Sequence, residues 1–198
     1  MSVITKFSDL DLTKEYTYSD YLLWQFSERV ELIRGFIKKM SPAPSKTHQQ
    51  VSRKLTRYID RYFENKTCEF FVAPFDVRLV NYKASKDDNQ IHTVVQPDLF
   101  IICDKEKLDE RGCIGAPDLV IEILSPGNSK KEMGVKFDLY EENGVKEYWI
   151  VEPTEKTIFI YSLQNEKYIG LKPCIAGSKI TSPLFPDLDF EIVKIFEN

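Results

Sequence analysis

Three short apolar runs constrain this fold more than anything else in the sequence: Val94 to Cys103, Asp118 to Leu124 and Val145 to Val151. They are rich in β-branched and aromatic residues and bounded by turn residues, so each reads as a strand. In the first two the apolar residues fall at both parities, the pattern of strands covered on both faces. Between the second and third runs, Ser129 to Glu142 has the length and composition of a helix, and it stops before Asn143-Gly144 as helices commonly do. Strand, helix, strand predicts a right-handed crossover between parallel strands. The expected fold class is α/β (α+β), a mixed central sheet flanked by helices. Additional C-terminal strands are expected near Thr157 to Leu163, Lys167 to Pro173 and Asp189 to Phe196.

Upstream, Val51, Leu55, Tyr58, Ile59, Tyr62 and Phe63 recur at helical spacing opposite Arg53, Lys54, Arg57 and Arg61, which predicts a helix over Thr47 to Glu64. His48 stands on its apolar stripe, where a partly buried structural histidine is the ordinary outcome. Thr17 to Phe26 reads as a short helix capped by Thr17. Val30 to Met40 reads as a hairpin turning at Arg34-Gly35. Glu69 to Val80 alternates as one strand with Phe71, Ala73, Phe75, Val77 and Leu79 on one face, and Asn81 to His92 reads as a polar loop. There are no repeats or long linkers, and 42% of the 198 residues are apolar, so one domain over 1–198 is expected.

No stretch approaches the ~20 apolar residues of a membrane-spanning helix, and the N-terminus has no signal-type pattern, so a cytoplasmic location is expected. Cys68, Cys103, Cys113 and Cys174 form no C-x-x-C pair, and the histidines are His48 and His92, which argues against structural zinc. A net charge of −4 argues against holding nucleic acid by charge alone. The group Arg53, Lys54, Arg57 and Arg61 reads either as a solvated face or as a local phosphate-facing stripe.

The chemistry is carried by two acids that interrupt apolar strands, Asp98 and Glu122. An ionised carboxylate there costs on the order of several kcal/mol unless a charge, hydrogen bonds or a metal compensates. Asp98 follows Pro97, whose missing N–H makes the strand irregular at that point. If the two strands are neighbours, both carboxylates project from one face. Paired carboxylates repel unless a divalent cation holds both ionised. Mg²⁺, with Mn²⁺ able to substitute, suits such a site because it takes hard oxygen ligands and keeps water. The chemistry then available is phosphodiester hydrolysis, with Lys136 as the cation near the scissile phosphate. The bland readings are acids satisfied by Lys, Arg or backbone donors, and a solvated lysine. Asp76 is expected to face solvent, Asp118 repeats the Pro-Asp pair as a decoy, and Tyr148 and Trp149 are expected in the core.

Five stretches in order carry a family resemblance: Glu31-Leu32-Ile33-Arg34-Gly35, Val95 to Leu99, Pro117 to Pro126, Lys136 with Tyr140, and Gly144 to Val151. Together they resemble the Uma family of restriction endonucleases over about residues 17 to 153. The resemblance implies the PD-(D/E)XK nuclease fold, a helix before a three-stranded meander and then a helix crossover to a fourth strand. It implies Asp98 and Glu122 as the acidic pair and Glu31 as a further metal ligand. Two positions after Glu122 the superfamily has lysine; this chain has Leu124, and the resemblance implies that Lys136 on the next helix stands in. Lys136 and Tyr140, four apart, share a helix face. Ser125, Tyr140 and His48 are weaker candidates for orienting the lysine or the phosphate.

The expected function is a Mg²⁺-dependent endonuclease acting on DNA, with a homodimer as the form that cuts both strands. Leu124 and the acidic charge motivate the alternative, a non-catalytic nuclease-fold module for nucleic-acid binding or regulation.

Overall fold

The computed structural model describes residues 3–40, 43–80, 87–125 and 130–197, with 130–132 by backbone only. In chain order, α1 (Tyr18–Tyr21), β1 (Val30–Ile33) and β2 (Phe36–Lys39) precede α2 (Lys46–Phe63). There follow β3 (Glu69–Val72), β4 (Asp76–Arg78), β5 (Val94–Val95), β6 (Leu99–Ile102), β7 (Leu108–Asp109), β8 (Gly112–Ile114) and β9 (Leu119–Ile123). The chain continues through α3 (Lys130–Glu142), β10 (Glu147–Glu152), β11 (Thr157–Gln164), β12 (Lys167–Gly170), β13 (Lys179–Thr181), β14 (Asp189–Glu191) and α4 (Val193–Phe196). These residues group into two compact units. The first holds Met1–Ala43, Phe75–Gln96 and Lys107–Ala116; the second holds Pro44–Pro74, Pro97–Glu106 and Pro117–Asn198.

The first unit is built on a sheet of order β2-β1-β5-β4-β8-β7. The hairpin turns where expected, with Arg34 at φ 50° and Gly35 at φ 87°. Both positive values suit a two-residue turn whose twist matches the strands. The helix expected over Thr17 to Phe26 is a single turn, closed by a reciprocal capping box between Thr17 and Asp20. It ends early because Trp24 is engaged elsewhere, bridging Ile4 and packing its ring on Tyr16, Tyr21 and Phe26. Leu10, Tyr16, Tyr18, Leu32, Ile91 and Val94 form the core beneath. Asp76 does not face solvent as expected; it is half-buried and accepts from Tyr18 Oη and Gln96 Nε2. Arg78 is fully buried, donating to Asp109 Oδ1 at 2.6 Å and to the Cys113 carbonyl. Burial alone would raise the Asp109 pKa, but the bonds from Arg78 and the Arg111 N–H hold it below the usual carboxylate value.

The second unit holds the sheet β12-β11-β10-β9-β6-β3, in which β9 and β10 are parallel and joined through α3, as the strand-helix-strand pattern predicts. Val51, Leu55, Ile59 and Phe63 of α2 cover one face, packing with Leu99, Ile101, Leu119, Ile121, Ile123 and Trp149. Phe137 and Tyr140 of α3 cover the other, in ring contact with Tyr148, Tyr161 and Tyr168. Cover on both faces is why these strands carry apolar residues at both parities. Glu147 is fully buried yet accepts from Trp149 Nε1, Ser182 Oγ and the Leu184 N–H; burial nevertheless pushes its pKa up.

Several expected boundaries move. Glu69 to Val80 is two strands, β3 and β4, in different sheets, separated at the cis Ala73–Pro74 bond. Val94 to Cys103 is likewise two strands, β5 and β6, separated at Pro97. Proline has no N–H to give a ladder, and alternation that continues across it hides the break. The last expected strand ends at Glu191, and Val193–Phe196 is a helical turn. Strands β7, β8 and β13, of two or three residues each, were not expected. Residues 81–86 of the polar loop and Ser129 lie outside the described residues. Cys68 and Cys103 form a disulfide one step beyond the paired Glu69 and Ile102. Their separation of 35 residues carries no sequence signal of pairing.

Leu55 is fully enclosed between α2 and the sheet. Leu55→Ala is expected to lower the unfolding free energy by about 2–5 kcal/mol. Urea denaturation measures this, and a loss well below that range would show that α2 does not close the core.

Candidate active site

The site begins with strand register. In the antiparallel pair, Leu99 faces Ile121 and Phe100 faces Val120; Asp98 lies one residue before β6, at the end of the pair where β9 carries Glu122. Glu122 is on the parity that points toward α3 rather than α2. Pro97 offers the ladder no N–H, β6 starts only beyond it, and at this strand end a side chain pairs with β9: Asp98 Oδ2 accepts from the Ile123 N–H at 2.8 Å.

Asp98 Oδ2 is also 3.2 Å from Nε2 of His48, which α2 supplies from its first turn. This contact requires the His48 proton on Nε2. Burial pulls the His48 pKa down, but the bond to Asp98 and the charges of Asp98 and Glu122 outweigh it and raise the pKa above 6.5. Glu122 Oε1 accepts from Lys136 Nζ at 2.9 Å and from Tyr140 Oη at 2.7 Å. Lys136 and Tyr140 are four residues apart on α3, which puts both donors over the same carboxylate. Side-chain exposure is low throughout, 22% for Asp98, 13% for Glu122 and 16% for Lys136, and Tyr140 is fully buried.

Five of the residues expected from sequence thus lie in one place: Asp98, Glu122, Lys136, Tyr140 and His48. Ser125 is half-buried two residues past the end of β9. Glu31 belongs to the first unit, where it is buried on β1 and accepts from the Gln96 N–H. The decoy Asp118 has a structural task. It takes the Cys103 N–H on Oδ2 and Lys146 Nζ on Oδ1 at the opposite end of the β6–β9 pair. What sequence reading undervalued was His48; its place on the buried stripe was visible, but not that the stripe's end meets Asp98.

Among the described residues no group of three or more His, Cys, Asp or Glu side chains is gathered to hold a metal ion. What they offer is a carboxylate pair. Asp98 Oδ1 receives no hydrogen bond from any described residue, since both bonds to Asp98 end on Oδ2. One or two carboxylates with retained waters is the usual protein share of a Mg²⁺ site, so the donor set fits that ion without forming a cage.

The mixed sheet with helices on both faces matches a nuclease-like fold. The family model described as "Putative restriction endonuclease", Uma2, matches residues 18–192, and the chain belongs to that family. It is similar to the crystal structure titled a putative nuclease belonging to DUF820 from Anabaena variabilis ATCC 29413. That likeness has a TM-score of 0.69 at 21% identity, covering 91% of this chain and 97% of that one. It is also 29% identical over 150 residues to the uncharacterized protein slr1290 of Synechocystis sp. (strain ATCC 27184 / PCC 6803 / Kazusa), covering 74% of each chain.

With a raised folded pKa, the His48–Asp98 pair contributes its full stability below pH 6.5 and loses it as pH rises through the raised value. The chain has two histidines, so NMR titration of the ring protons resolves His48 from His92. Its midpoint is expected above 6.5, and in Asp98→Asn it should fall, because burial remains while the charge is gone. An unmoved midpoint would remove Asp98 as the cause.

Proposed function

We propose that this chain is a divalent-cation-dependent endonuclease that hydrolyses phosphodiester bonds in DNA. The observation that carries the reading is the placing of Asp98 and Glu122 at one end of the β6–β9 pair with the Lys136 ammonium 2.9 Å from Glu122. Membership in a restriction-endonuclease family and the nuclease title of the DUF820 structure support it.

Asp98 and Glu122 are the groups that would hold Mg²⁺ or Mn²⁺. When bound, such an ion polarises a phosphoryl oxygen and lowers the pKa of coordinated water. The chain's own residues prepare the rest. The Ile123 N–H and His48 fix Asp98 by Oδ2 and leave Oδ1 for a ligand. Tyr140 fixes Glu122 from the helix side. Lys136 brings a positive charge whose task is to stabilise the charge that develops on the phosphate. Ser125 is assigned to orient the phosphate, and Glu31 is left outside this assignment. Cutting both strands takes two such sites, so the acting form proposed is a homodimer in the cytoplasm.

A second reading has its own observation. His48 on Asp98, and Lys136 with Tyr140 on Glu122, already supply each acid with a protein donor, which a non-catalytic module would also need. Metal binding separates the two. Calorimetry should show Mn²⁺ bound by the wild type, with a rise in melting temperature by mass action. Asp98→Asn and Glu122→Gln should abolish that rise and lower plasmid cleavage by about a hundredfold or more. Lys136→Met should keep metal binding and lose cleavage. Cleavage that survives loss of both acids would refute the nuclease assignment, and absence of Mn²⁺ binding would favour the module.

A further inference from the structure

The exposed face of α2 begins with cations alone and mixes the two signs only in its last turns. Aligned peptide dipoles favour acids in the first turns and cations in the last. The first turn of α2 has no acid and contains Lys46. From Lys46 to Arg57 the helix carries Lys46, Arg53, Lys54 and Arg57 and not one Asp or Glu; Asp60, Arg61 and Glu64 follow at its far end.

Position and pairing make the same point. Lys46, Arg53 and Arg57 fall within about 40° of one another around the helix axis, with Lys54 on their flank. All three are exposed, opposite the buried Val51, Leu55 and Ile59. None of the four cations makes a side-chain hydrogen bond or ion pair with any described residue. The other face of this same helix sends His48 to Asp98 from its first turn. A face that served only for solvation would need neither an excess of one sign nor cations at this end of the helix.

We propose that this face of α2 is the docking surface for the sugar-phosphate backbone of duplex DNA. The inference rests on the nuclease reading for where the strand is cut, though not for the contact itself. From Lys46 to Arg57 the helix rises about 16 Å. One DNA strand presents a phosphate every ~3.4 Å of axis, so the stretch faces roughly four to five phosphates. Unpaired guanidinium groups suit phosphate recognition, and the surface reads charge without reading sequence.

The test uses the full chain, a short labelled duplex and EDTA, so that binding is measured without cleavage. Fluorescence anisotropy follows the dissociation constant between about 50 and 200 mM salt. In Arg53→Gln/Lys54→Gln/Arg57→Gln the slope of log K against log salt should shrink by about 2.7, or ~0.9 per lost contact. The melting temperature should hold, because the three side chains lie on the solvent face of α2 and make no bond with any described residue. Two comparisons protect the result. Arg53→Lys/Arg57→Lys keeps the charge and should keep the slope. Lys167→Gln/Lys179→Gln/Lys194→Gln lowers net charge equally at lysines already paired with Glu141, Asp189 and Glu191, and should leave most of the slope.

Wild-type slope in the α2 triple variant, no duplex binding by the wild type, or equal loss in the paired-lysine variant would each overturn docking on α2. The nuclease reading fails separately. A wild type that binds through α2 yet never cuts with Mn²⁺ leaves docking standing, whereas cutting unaffected by the α2 variant sinks docking alone.

Discussion

The pairing register of β6 with β9 is the constraint on which the rest depends. Side chains alternate along a strand, so a slip of one residue would move Glu122 into the α2 face among Leu99, Ile101 and Trp149 and turn Ile121 out of it. The apolar side chains prevent that slip. With Leu119, Ile121 and Ile123 committed to the α2 face, Val120 and Glu122 are left for the other, and Asp98 is set at the same end of the pair as Glu122. Specifying the core and assembling the acidic pair are therefore one event. The cost of two nearly buried carboxylates is offset from both sides of the sheet, by His48 from α2 and by Lys136 and Tyr140 from α3.

Proline marks where the chain leaves one compact unit for the other. Four of the unit boundaries fall at Pro44, Pro74, Pro97 and Pro117. Two of these prolines precede an aspartate, and the aspartates do matching work. Asp98 takes the Ile123 N–H at one end of the β6–β9 pair, and Asp118 takes the Cys103 N–H at the other. Each carboxylate accepts from the end of the neighbouring strand where a proline has interrupted the ladder.

Much of this was legible from the residues alone, for physical reasons. The segments covered on both faces announced themselves by composition, which made β9, α3 and β10 readable in order; α2 was readable from its stripe. The two acids stood out because charge in an apolar strand is costly. The breaks at Pro74 and Pro97 were misread because alternation persists across them, and two- or three-residue strands such as β5, β7 and β8 are too short to establish a period. The Cys68–Cys103 bond and the meeting of His48 with Asp98 depend on register between distant segments, which one sequence does not encode locally.

The way donors are distributed differs between the buried acids Asp118 and Glu147 and the half-buried Asp98. Asp118 uses both oxygens, one for the Cys103 N–H and one for Lys146. Glu147 does the same, with Trp149 on Oε1 and Ser182 and Leu184 on Oε2. Spreading donors in this way is what a carboxylate held only for stability requires, since each lone pair taken from water wants replacement. At Asp98 both donors crowd onto Oδ2, and Oδ1 receives nothing from any described residue. Asp98 is 22% exposed against 6% for Asp118, so one oxygen orients the carboxylate while the other keeps access to water. That asymmetry supports assigning chemistry to Asp98 and structure to Asp118, although both sit in the same Pro-Asp context.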